Sequence, residues 1–101
     1  MNLLPYAVYV LFSEKDHHLY VGFTTDINKR IDNHNDGGTS STKHRRPLKL
    51  IFIEYYLFKD DAIYREKYFK SSKGKRALKL MLNYTLTSLG YKIPKETISL
   101  E

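Results

Sequence analysis

Hydrophobic and polar positions follow one another in three different rhythms along this chain, and each change of rhythm marks an element. Tyr6 to Phe12 (YAVYVLF) is a nearly continuous apolar run rich in β-formers. It is too short for a helix and reads as a buried strand. Ser13 to His18 (SEKDHH) is polar and turn-like. Leu19, Val21 and Phe23 then alternate with Tyr20, Gly22 and Thr24, the period-2 pattern of a strand with two unlike faces. The short separation predicts an antiparallel hairpin in which Tyr9 and Tyr20 can face the same side. From Ile27 the period changes again. Ile27 and Ile31 are four apart, and Thr24, Thr25 and Asp26 before them supply oxygens that can cap a helix. Arg30 and His34 are also four apart and neighbour each other on that helix. Tyr20, Arg30 and His34 therefore converge at one strand-to-helix corner. Taken singly, they read equally as a strand tyrosine, a solvated charge and a residue at the edge of the core seam. Gly22 inside a strand marks close approach by a ligand or another backbone.

The rest of the chain keeps to the same two periods. Asp36 to Thr42 (DGGTSST) is a loop, with Gly37 placed to end the helix. Lys43 to Arg46 (KHRR) is a short basic loop closed by Pro47. Leu48 to Phe58 (LKLIFIEYYLF) is the strongest strand signal, and its apolar character predicts the centre of a sheet. Glu54 interrupts it, as a sheet-end ion pair in preference to a site residue. Asp60 or Asp61 is expected to cap a helix from Ala62 to about Ser71. Ala62, Glu66 and Phe69 are spaced i, i+4, i+7, so Glu66 falls on the apolar stripe. A carboxylate there calls for a pairing with Arg65 or another basic group, or for a bound divalent cation. Ser71 to Arg76 (SSKGKR) breaks the helix. A third helix is expected from about Lys75 to Leu89, with Leu78, Met81, Leu82, Thr85 and Leu89 as its stripe. The order ββαβαα is an α+β fold, a small three-stranded antiparallel sheet flanked by helices. It reads as one domain over 1–101, with a core from about 6 to 89 and an irregular tail over 90–101.

Charge narrows the partner. The chain has 101 residues, with 17 Lys+Arg against 11 Asp+Glu, a net +6 and a pI near 9.5. That balance suits an anionic partner, above all nucleic acid. Lys43, Arg45, Arg46, Lys73, Lys75 and Arg76 are the candidates for contact with its phosphate backbone. Cysteine is absent, which excludes disulfides and thiolate metal sites. His17 and His18 are adjacent on a turn tip and point apart, which argues against a metal pair. No apolar run approaches the roughly 18 residues of a membrane span. The segment MNLLPYAVYVLF lacks a basic n-region and a small-residue cleavage site. The expected location is the cytoplasm, away from membranes.

Ala7 to Tyr9 (AVY) and Tyr20 to Gly22 (YVG) resemble the two halves of the GIY-YIG nuclease signature. The Arg30 and His34 pair on the next helix, and Ala62 with Arg65 and Glu66 on the second, agree with it. The resemblance covers about residues 6 to 80. It is nearest to the small stand-alone members and to the N-terminal domain of the excision-repair nuclease subunit. It implies a metal-dependent endonuclease that hydrolyses DNA phosphodiester bonds in repair or recombination, with one divalent ion, Mg²⁺ or Mn²⁺. By that resemblance Tyr9 and Tyr20 are the two signature tyrosines, Arg30 the helix arginine, His34 the residue one turn later and Glu66 the metal-binding glutamate. Tyr9 is expected to be the base, its pKa lowered by Arg30 and the metal, with Tyr20 positioning water or phosphate. The two tyrosines can exchange these roles, and His34 would hydrogen-bond one of them. Ala7, Val8 and Val21 depart mildly from the signature. Active members often carry an asparagine on the last helix, for which Asn83 is the candidate. The alternatives are a catalytically weak nucleic-acid-binding module and a partner-docking domain of the same fold, and a protein partner would supply specificity.

Overall fold

The computed structural model describes residues 4–91. In chain order they form β1 (Tyr6–Ser13), β2 (Leu19–Thr24), α1 (Ile27–Asn35), a 3₁₀ turn (Lys43–Arg45), β3 (Leu48–Tyr56), α2 (Lys59–Lys70), α3 (Ser72–Met81) and α4 (Asn83–Ser88). The chain falls into two compact units, Met1–Glu66 and Lys67–Glu101, divided within α2.

The first unit is built on a three-stranded antiparallel sheet in the order β2-β1-β3. The hairpin forms as its pattern predicts. The centre of the sheet is β1, however, and the long apolar β3 lies at an edge. The cause is the connection. With β1 antiparallel to both neighbours, β2 and β3 run parallel to each other, and parallel strands need a crossover. Helix α1 supplies it, so the chain leaves β2 on one side of β1 and re-enters on the other. Seven of the eight β1 positions are buried, whereas Lys49 and Leu50 of β3 are exposed. A bulge at Ile51 shifts the register between Val10 and Leu11, so that Leu11 pairs with Leu50 and Ser13 with Leu48.

On one face of the sheet Tyr9, Leu11 and Leu48 form a core cluster, and Tyr20, Ile53 and the α1 seam residues Ile27 and Ile31 pack against it. Asp26 is the α1 N-cap, its Oδ1 accepting from the Lys29 amide at 3.1 Å. Gly37, at φ +80°, follows the helix end as expected. On the opposite side of the strand pleat Glu54 accepts from Arg65 of α2 at 2.9 Å, the sheet-end ion pair read from the sequence. Helix α2 starts earlier than its capping signal implied, and Asp60 and Asp61 lie in its first turn, where carboxylates favour the helix dipole.

In the second unit Ser71 is not merely a break: it caps α3, accepting from the Gly74 amide at 3.1 Å. Any side chain at Gly74 would overlap the Tyr68 carbonyl. The single expected helix from Lys75 to Leu89 is two helices, interrupted at Leu82. The interruption rotates the later residues. Leu86 is fully buried, while Met81 of the expected stripe is 50% exposed. Of the tail expected over 90–101, residues 92–101 lie outside the described residues. Among the described residues no helix is long and apolar enough to cross a membrane.

Candidate active site

The β1–β2 register places Gly22 opposite Tyr9 and Tyr20 opposite Leu11. Tyr9 and Tyr20 thus sit diagonally on one face, their ring centroids 6.3 Å apart. Gly22 is where close approach was expected, and the approaching group is the Tyr9 phenol. A Cβ at position 22 would overlap the Tyr9 ring and hydroxyl. His34 reaches the pair from α1. Its ring stands edge-on to both tyrosines, at 5.8 Å from Tyr9 and 5.0 Å from Tyr20. Its Nε2 is 2.8 Å from the Tyr9 hydroxyl, and its Nδ1 is 2.8 Å from Thr42 Oγ1. Tyr9, His34 and Thr42 are all buried. Tyr20 and Arg30 are half-buried.

Electrostatics follow from that burial. The Tyr9 phenol is held well above its ordinary pKa. Burial is the main cause, Tyr20 and the Glu66 carboxylate reinforce it, and Arg30 opposes it. The expectation that Arg30 lowers the Tyr9 pKa is therefore corrected: Arg30 acts in that direction, but burial outweighs it. Tyr9 is neutral at neutral pH and cannot serve as a standing phenolate. The His34 pKa is lowered, first by burial and then by Arg30, which keeps the imidazole neutral. Among the described residues no buried side-chain nitrogen or oxygen lacks a hydrogen-bond partner.

The structure brings Tyr9, Tyr20, Arg30 and His34 to one corner, with Glu66 near enough to Tyr9 for its charge to act there. Glu66 is half-buried on α2 next to Arg65, which turns to Glu54. No group of three or more His, Cys, Asp or Glu is assembled among the described residues. A single carboxylate does not suit a structural zinc, but it suits Mg²⁺ or Mn²⁺, which keep several waters and take further oxygens from phosphate. Glu66 is the carboxylate that would hold such an ion, with waters and phosphate supplying its other oxygens.

Other expected residues fall elsewhere. Arg45 is bound to Asp16, Nε to Oδ2 at 2.7 Å, and that bond holds the Asp16 carboxyl down at about 2. Arg46 donates to Lys43 O at 2.8 Å and to Asn35 O at 3.4 Å, so it ties the basic loop to the end of α1. Lys43, Lys73, Lys75 and Arg76 are exposed. Asn83 opens α4 in the second unit. A surface pocket of about 640 Å³ beside Arg30 is walled by the β2–α1 corner and α1, including Thr24, Asp26, Lys29 and Asn33. Arg30 lines it and neither tyrosine does. Thr42 was missed. It is one of four consecutive hydroxyl residues, Thr39 to Thr42, and nothing in the sequence sets it apart.

The family model described as the GIY-YIG catalytic domain matches residues 5–79. The UPF0213 protein YazA of Bacillus subtilis is 46% identical over 63 residues, covering 61% of this chain and 64% of that protein. The chain thus spans under two thirds of that relative. A UPF0213 protein of Clostridium perfringens is 36% identical over 85 residues, 83% of this chain and 90% of the relative. The solution structure of a UPF0213 protein from Bacillus halodurans is similar with a TM-score of 0.49 and 32% identity, covering 82% of this chain and 93% of that one. With three quarters of its length matched by that family model, the chain belongs to the GIY-YIG family, a nuclease-type family.

Proposed function

We propose that this chain acts as one catalytic domain, a divalent-metal-dependent endonuclease that hydrolyses phosphodiester bonds in DNA in the cytoplasm. The observation that carries the reading is the buried 2.8 Å contact between the Tyr9 hydroxyl and His34 Nε2, with the half-buried Tyr20 ring edge-on to His34.

Hydrolysis forms a bond from a water oxygen to phosphorus, breaks the bond from phosphorus to the leaving ester oxygen and releases one water proton. Tyr9 is neutral and buried, so it passes a proton on and does not store one. The Tyr20 ring lies 6.3 Å from that of Tyr9, centroid to centroid, and it reaches solvent where Tyr9 does not. The water's proton moves to Tyr20, the Tyr20 proton to Tyr9, and the Tyr9 proton to His34 Nε2. Both phenols end neutral and His34 ends as imidazolium. The leaving oxygen takes a proton from solvent. Arg30 faces the phosphate and stabilises its equatorial oxygens. Glu66 would hold the divalent ion, which when bound draws charge from the phosphate and the leaving oxygen. Lys43, Lys73, Lys75 and Arg76 would contact phosphate backbone.

The test is incubation of supercoiled plasmid and branched oligonucleotides with the protein in Mg²⁺, Mn²⁺ or EDTA, beside Glu66→Gln and Tyr20→Phe. Cleavage by wild type in metal alone, and loss in both variants, is expected. Equal cleavage in EDTA overturns the metal dependence. Binding without cleavage of any DNA form in either metal assigns the chain to nucleic-acid binding instead.

A further inference from the structure

We propose that Thr42 is a positioning residue, whose hydroxyl selects the His34 tautomer that presents a bare Nε2 to Tyr9. The proposal deepens the proton path described above and rests on that reading for its catalytic consequence, though not for its structural one. A neutral imidazole carries one proton, and the partner of one nitrogen decides what the other can do. His34 and Thr42 are each 0% exposed, so neither can turn to water for an alternative partner. A hydroxyl also has only one proton to give. Thr39 O lies 3.4 Å from the Thr42 hydroxyl as an acceptor for its proton, and the Thr42 amide donates to the same carbonyl at 3.1 Å. The Lys43 amide donates to it too, at 2.9 Å, so the turn that carries Thr42 is pinned from both sides.

A Thr42 proton turned to Thr39 O leaves Oγ1 to accept from His34 at 2.8 Å. Nδ1 then carries the imidazole proton, and Nε2, 2.8 Å from the Tyr9 hydroxyl, holds a lone pair. Tyr9 donates into it. The reverse tautomer would place a second proton between Nε2 and Tyr9 and leave the path with no acceptor at its inner end. Thr42 bonds the imidazole at Nδ1, while Tyr9 bonds it at Nε2. It acts through His34 alone, as groups behind metal-bound histidines act through the imidazole they orient.

The test has two independent readouts on the full chain. The first is the ¹⁵N long-range correlation spectrum of the imidazoles at neutral pH, with His34 assigned among the four histidines by its loss in His34→Gln. Wild type and Thr42→Ser are expected to show His34 protonated on Nδ1. Thr42→Val, which keeps the shape and removes the hydroxyl, is expected to shift His34 toward the Nε2-protonated form. The second readout is plasmid nicking, expected to fall roughly tenfold or more in Thr42→Val and to recover in Thr42→Ser. A wild-type His34 protonated on Nε2 overturns the proposal without any variant, as does an unchanged tautomer in Thr42→Val. If Thr42→Val does not fold, Thr42→Ala makes the same test. Should the protein cut no DNA, the nuclease reading fails while the spectrum still decides the role of Thr42. Nicking that is lost equally in Thr42→Ser and Thr42→Val also counts against it.

Discussion

Arg65 grips Glu54 at two points, Nε to Oε1 at 2.9 Å and Nη2 to Oε2 at 3.1 Å, while the Tyr56 hydroxyl donates to the same Oε1 at 2.6 Å. This fork ties the first turns of α2 to the edge strand β3. Burial alone would raise the Glu54 pKa, but the bonds from Arg65 and Tyr56 outweigh it and leave it lowered. The pair is partly exposed, with side-chain accessibilities of 32% and 23%, so its worth lies between that of a surface pair and a buried one. Glu54→Gln is expected to lower stability by about 1–2 kcal/mol, a fall in Tm of roughly 4–16 °C. Thermal unfolding followed by circular dichroism checks it. A loss under a few tenths of a kcal/mol would make the fork decorative.

Tyr56 carries the alkaline side of the same cluster. Burial and the bond to Glu54 push its hydroxyl up from 10.0 to about 12. A group raised in the folded state contributes its stability in full below the unfolded value and loses it as pH climbs through the folded one. Stability should therefore decline between pH 10 and about 12. Tyr56→Phe should reduce that decline in a pH series of denaturant titrations. An identical decline in both proteins would remove Tyr56 as its source.

Gly22 is fixed by its neighbour. Because a Cβ there would meet the Tyr9 phenol, Gly22→Ala must displace Tyr9 and with it the bond to His34. Overpacking of this kind costs about 1–3 kcal/mol. The expected outcome is a lower melting temperature together with a lost or shifted His34 imidazole signal. A stable Gly22→Ala protein with an unchanged His34 signal would show that the ring has room to move.

The basic residues divide into two kinds, and salt dependence should separate them. Arg45 is engaged by Asp16, whereas Lys73, Lys75 and Arg76 are exposed. If the exposed ones meet phosphate, changing all three to Gln should flatten the salt dependence of DNA binding by a slope of about 0.9 per lost contact. Arg45→Gln should change that slope little and instead cost up to about 1 kcal/mol of stability. A large slope change in Arg45→Gln would mean that DNA displaces Asp16.

How far these features are legible in the sequence depends on the range of the interaction. The corner of Tyr20, Arg30 and His34 can be read from periods of two and four because those are local rules. The partnership of Glu54 is legible because a carboxylate in an apolar strand has few ways to be tolerated. The edge position of β3 is not legible, since its apolar run looks the same wherever the α1 crossover sets it down. The interruption at Leu82 has no glycine or proline to announce it, and it exposes Met81 while burying Leu86. Thr42 is the clearest case. Its role depends on a turn bringing it back over His34, a contact that no spacing rule contains.

Acid should act first through His34. His34 is neutral in the fold because burial, and then Arg30, lower its pKa from 6.5. The groups that face it are the tyrosines of β1 and β2, Arg30 on its own helix and Thr42 from the loop, with Glu66 of α2 acting beyond Tyr9. The unfolded chain binds a proton at 6.5 that the folded chain still refuses, so stability falls as pH drops below 6.5 toward the folded value. His34→Gln should remove that part of the acid loss and leave the later loss from Asp16 and Glu54, whose lowered carboxyls titrate further down. If His34 receives the proton during hydrolysis, nicking should stay level through neutral pH and fall only below 6.5 as the imidazole becomes charged. Melting temperature and nicking rate across the same pH series check both halves. A rate inflection at or above 6.5 would place His34 outside the path, and wild-type stability that is flat from 7 to 5 would show that its imidazole accepts a proton in the fold as easily as in water.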